Sequence, residues 1–109
     1  MAHYLVQLSY TPESYAAQLK DPKNRVEAVK PVMEKLGGRI LQAYYAFGDA
    51  DLVFIIDVPN NVTAAAASFA FQAGGAISSY KTTPLMTLEE GVEALKKGAE
   101  AASAYKVPR

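Results

Sequence analysis

The chain has 109 residues, half of them hydrophobic and a fifth charged, the composition of one soluble globular domain rather than a disordered segment. Its 11 basic and 11 acidic residues cancel, which removes the electrostatic reason to expect nucleic acid or an anionic membrane as a partner. It contains no cysteine, so disulfides, thiolate nucleophiles and Cys-ligated zinc or iron–sulfur sites are excluded.

No basic n-region precedes a long apolar stretch, and the longest strongly apolar run, Leu52 to Ile56, is the size of a strand. A membrane-spanning helix needs about 20 residues. The expectation is a cytoplasmic protein with no membrane partner.

The first element is a strand over His3 to Tyr10, with Tyr4, Val6, Leu8 and Tyr10 on one face and His3, Leu5, Gln7 and Ser9 on the other. Thr11-Pro12-Glu13 is a helix start, with a capping hydroxyl and Pro at the first position. Asp21-Pro22 repeats that signal and predicts a second helix, whose buried stripe is Val26, Val29, Val32 or Met33, and Leu36. Pro31 predicts a kink or boundary near Lys30. Gly37-Gly38 ends the helix.

Arg39 to Phe47 and Asp51 to Val58 are the second and third strands, joined by the hairpin-sized Gly48-Asp49-Ala50. A helix capped by Asn60 or Asn61 runs to about Ala73 and stops at Gly74-Gly75. Ala76 to Leu85 is the fourth strand. Thr87-Leu88-Glu89-Glu90 has capping-box spacing and opens a last helix with Leu88, Val92, Leu95 and Ala99 on one face. The tail after Ser103 frays. The expected fold class is α+β: a single domain over residues 1–109, with its core at about 3–102, in the ferredoxin-like βαββαβ order plus a C-terminal helix.

The helices of such a fold cover one face of the sheet, so a half-solvated third strand should alternate apolar and polar residues. Instead Leu52, Phe54, Ile56 and Val58 occupy one face, and Val53 and Ile55 the other, beside Leu5 of the first strand. That second face is also expected to carry Gln7, Ser9, Gln42 or Tyr44, Asp57 and Tyr80. An identical sheet is the simplest cover, which predicts a homodimer, or a higher oligomer built on it, with a self-complementary interface.

Several stretches together resemble the GYD-domain proteins, which look like relatives of the dimeric α+β barrel group. They are Tyr4 with Tyr10-Thr11, Asp21 to Arg25, Gly37 to Pro59 and Ala76 to Glu90. The resemblance implies a ferredoxin-like fold and a dimeric α+β barrel. The signature Gly-Tyr-Asp appears as Gly48-Asp49-Ala50-Asp51: Gly48 and Asp51 match, with one extra residue between them, and the tyrosine is absent.

His3 is the only histidine. An imidazole suits acid–base work, yet no metal-ligand spacing surrounds this one, so neither a metal nor a cofactor is expected. Asp49 and Asp51 flank a turn, where aspartate commonly binds backbone N–H groups. Asp57 interrupts an apolar strand and, if buried, needs donors; it is the candidate base of an enzyme. Gln7, Tyr44, Asp57 and Tyr80, with His3 beside them, are expected to line one pocket at the interface between sheets, suited to a small apolar or aromatic molecule. An enzyme without a cofactor, oxygenase- or isomerase-like by analogy with barrel relatives, is the alternative. A third reading is a purely structural or interaction protein with a filled cavity. The double glycines lack phosphate-loop spacing, and the third strand lacks an aromatic RNA platform.

Overall fold

The computed structural model describes residues 2–108. Strand β1 (Ala2–Tyr10) leads into helix α1 (Pro12–Lys20), capped by the Thr11 side chain, which accepts from the Ser14 N–H at 3.1 Å. Helix α2 (Arg25–Lys35) follows, then the hairpin of β2 (Arg39–Tyr45) and β3 (Leu52–Val58). Helix α3 (Asn61–Ala73), β4 (Ile77–Leu85) and α4 (Leu88–Ala102) complete the order.

The four strands form one sheet in the order β2-β3-β1-β4, and every neighbouring pair is antiparallel. β3 therefore lies between β1 and β2, the split arrangement that the element order predicts. The fold is ferredoxin-like βαββαβ with a C-terminal helix.

Two local expectations are corrected. Asp21-Pro22 starts no helix: Asp21 closes α1, and Asn24 caps α2 by accepting from the Val26 N–H at 3.0 Å. Pro31 sets no boundary, because α2 continues through it to Lys35. The helix keeps its buried stripe on either side of the proline, with Val29 8% and Met33 1% exposed. The packing of these two side chains outweighs the missing N–H.

The core lies between one face of the sheet and helices α2 and α3. Tyr4, Val6, Leu8 and Tyr10 of β1 alternate into it, as do Leu52, Phe54, Ile56 and Val58 of β3. Ala64 and Ala67 let α3 approach closely, and the Tyr4 hydroxyl donates to Asn61 Oδ1 at the start of that helix. Gly38 serves the same closeness. A Cβ there would stand 2.6 Å from Val58 Cγ1 and 2.8 Å from the Asp57 carbonyl oxygen.

Candidate functional site

The register assigns each side chain of the uncovered face. Asp57 stands opposite His3 on one side and Arg39 on the other, and His3 in turn opposite Leu85. The next row is Gln42, Ile55, Leu5 and Thr83, and the one beyond it is Tyr44, Val53, Gln7 and Lys81. Leu5, Val53 and Ile55 thus form an apolar band across the middle of the face, partly exposed in the single chain. Polar and charged residues bound it at both ends.

A bulge in β2 sets the upper row. Ile40 pairs with Ile56 but Gln42 with Ile55, so Leu41 is an extra residue. The bulge turns Ile40 toward the core and brings Arg39 opposite Asp57.

Asp57 is 5% exposed. A buried carboxylate needs compensation by donors or opposite charge. The Arg39 Nε–H donates to Asp57 Oδ2 at 3.3 Å, and His3 Nε2 lies 3.6 Å from Oδ1, which accepts no hydrogen bond. Both partners reach solvent: their side chains are 72% and 45% exposed. The arrangement is a buried anion backing an accessible imidazole.

That imidazole borders a cleft of about 480 Å³ between the end of the sheet and the start of α4. Leu41, Ile55, Leu85 and Met86 give it apolar walls, and Gln42, Thr87 and Glu90 supply polar groups. Glu90 is held in place by the capping box: its carboxylate accepts from the Thr87 N–H at 2.9 Å, while its own N–H donates to Thr87 Oγ1 at 3.0 Å. The Thr87 backbone and hydroxyl contacts keep the Glu90 carboxyl below its ordinary value.

The residues expected to share one pocket are divided by this geometry. His3 and Asp57 are direct neighbours. Gln7 and Tyr44 lie on the same face but four residues further along the strands, about 13 Å away. The Tyr44 hydroxyl donates to Gln42 Oε1 at 3.1 Å, which joins its row to the next one along the face. Tyr80 is on the other face. It pairs with Leu8, stacks on Phe71 with ring centroids 6.2 Å apart, and buries its hydroxyl without a partner. Burial pushes that phenol far above its ordinary value. Tyr80 was expected on the open face; the β1–β4 ladder, whose register shifts between Ser9 and Tyr10, sets it opposite Leu8 on the core side.

Sequence reasoning missed Arg39, Thr87 and Glu90 as neighbours of His3. The capping box was legible, but not that it would lie beside β1. Asp51 has a structural place: its carboxylate accepts from the Tyr10 N–H at 2.9 Å and its N–H donates to the Leu8 carbonyl at 2.8 Å, tying the hairpin turn to β1. Among the described residues, no group of three or more His, Asp and Glu side chains is placed to hold a metal ion, and no helix is long and apolar enough to cross a membrane.

No curated protein matches the chain. The model of the GYD domain matches residues 4–105, nearly its whole length, and the chain belongs to the GYD-domain family.

Proposed function

We propose that two copies of this chain pair through their open sheet faces, and that the cleft beside His3 takes a small apolar or aromatic molecule. The carrying observation is the band of Leu5, Val53 and Ile55 on the face that no helix covers. A hydrophobic strip bounded by polar groups marks an interaction surface. Its end opens into the cleft, where apolar walls surround a few polar groups, the usual make-up of a ligand site. Sedimentation across a dilution series should give twice the 11.7 kDa chain mass, and Val53→Asp should lower association at least tenfold by placing an unpaired carboxylate in the contact. A monomer at every concentration overturns the pairing. For the cleft, the aromatic dye 8-anilinonaphthalene-1-sulfonate should bind saturably, and His3→Ala should change its affinity several-fold without changing the mass. Non-saturable binding, or binding indifferent to His3→Ala, overturns the ligand site.

The His3–Asp57 pair favours a second reading, an enzyme moving a proton without a cofactor. Asp57 is too buried to meet a substrate, so it is the positioning residue, and His3 is the group at the cleft that exchanges the proton. With a verified substrate, His3→Gln abolishes turnover, and Asp57→Asn lowers it and alters its pH profile. Unchanged turnover in His3→Gln removes this reading and leaves binding alone.

A further inference from the structure

Helix α4 leaves the domain with its apolar side uncovered. Leu88 is 90% exposed, Leu95 74% and Val92 50%, and the helix has no buried residue. The molecule accordingly measures 59 × 35 × 22 Å, with a Cα radius of gyration of 17.6 Å. A compact chain of this length has a radius near 13 Å. The helix is nevertheless firmly started, with both hydrogen bonds of its capping box in place.

Its apolar stripe has a particular spacing. Leu88, Val92, Leu95, Ala99 and Ala102 alternate steps of four and three, the average of 3.5 with which one helix seats along another. Reversed end to end, the stripe fits itself. With Leu95 at the centre, Leu88 comes opposite Ala102, Val92 opposite Gly98, and Gly91 opposite Ala99. Large residues meet small ones, and each glycine leaves room for the side chain opposite it. A Cβ at Gly91 or Gly98 meets nothing within 4 Å in its own chain, so packing inside the protomer explains neither glycine. Each weakens an isolated helix relative to alanine. Complementarity to its own reverse is what a twofold contact between identical surfaces requires.

We infer that α4 pairs antiparallel with α4 of a second copy, about a twofold axis passing beside Leu95. The seam is about 22 Å long and about 10 Å wide, well short of the roughly 800 Å² that a specific interface buries on each partner. It therefore closes between copies already held by their open sheet faces, and to that extent rests on the pairing proposed above.

The absence of cysteine makes the test direct in the full chain. Leu95→Cys puts a single thiol on the axis, and with oxidised glutathione it should cross-link to its twin at least tenfold faster than Glu93→Cys on the opposite side of the helix. Mixed Leu88→Cys and Ala102→Cys chains should link to each other and not to themselves. In hydrogen exchange, Leu95→Asp, a surface change in its own chain, should strip protection from the amides of Leu88–Ala102 while those of β1 and β3 stay protected. Equal cross-linking at positions 95 and 93, or unchanged α4 protection in Leu95→Asp, overturns the helix pairing and leaves the sheet contact standing. A chain that sediments as a monomer at every concentration overturns both.

Discussion

His3 and Asp57 face each other across the β1–β3 ladder, imidazole Nε2 3.6 Å from carboxylate Oδ1, and only the imidazole reaches solvent. Arg39 holds the other carboxylate oxygen from β2. Three strands thus converge on one buried charge at the end of the sheet where the chain also turns into α4.

The exposure of the two partners decides what losing that charge costs. Removing one partner of an ion pair is severe when the other is left buried, but Arg39 and His3 can both turn to water. Asp57→Asn should therefore cost only about 1 kcal/mol in urea unfolding. Asp57→Lys should cost more than about 3 kcal/mol, because a cation would be buried against the Arg39 guanidinium with no anion to pair it. Equal losses in the two variants would show that volume, not charge, governs the position.

The two neighbouring glycines after α2 should respond differently. Gly37 has φ 72° and open space around it, whereas Gly38 is pressed on Val58 and the Asp57 carbonyl. Gly37→Ala should lose about 1 kcal/mol through the left-handed backbone, and Gly37→Asn less. Gly38→Ala should lose about 1–3 kcal/mol through overpacking, and combining it with Val58→Ala should recover part of that loss in a double-mutant cycle.

The contrast marks what the sequence carries and what it does not. Periodicity and caps give the elements: alternation from Tyr4 to Tyr10, the Thr11 and Thr87 caps and the glycine stops all lie within a few residues of where they act. The uncovered face was legible in the same way, because Val53 and Ile55 break the alternation of β3. The site was not, because it depends on register. Counting back through the hairpin from Tyr45 opposite Leu52 would set Ile40 opposite Asp57; the bulge at Leu41 puts Arg39 there instead. A one-residue slip changes which side chain meets the carboxylate. The placement of Tyr80 failed for the same kind of reason.

Asp51, at the end of the hairpin turn, should act through its acceptor oxygen. Asp51→Asn keeps an oxygen for the Tyr10 N–H and should lose under about 1 kcal/mol. Asp51→Ala leaves that N–H without its partner and should lose about 1–3 kcal/mol. Hydrogen exchange at the Tyr10 amide should quicken in Asp51→Ala well before the β1–β3 ladder opens. If the two variants are equally stable, the Asp51 carboxylate has no part in holding the turn to β1.

Tyr80 should reveal itself at alkaline pH. Its hydroxyl is buried with no partner, so Tyr80→Phe should be neutral or slightly stabilising at pH 7. Burial raises the folded-state value of this phenol above the ordinary 10.0, so the unfolded chain gives up its proton first as pH rises. From about pH 10 the unfolded state binds fewer protons than the folded one, and stability falls by up to about 1.4 kcal/mol per pH unit for each such group. Tyr10, also raised by burial, adds to the fall with the same sign. Tyr80→Phe should leave stability at pH 7 almost unchanged and make the decline between pH 10 and 12 shallower by about one proton's worth, measured as urea midpoints across that range. Parallel curves for the two proteins would show that Tyr80 ionises as freely in the folded chain as in the unfolded one, and that Phe71 and Leu8 do not keep water from its hydroxyl.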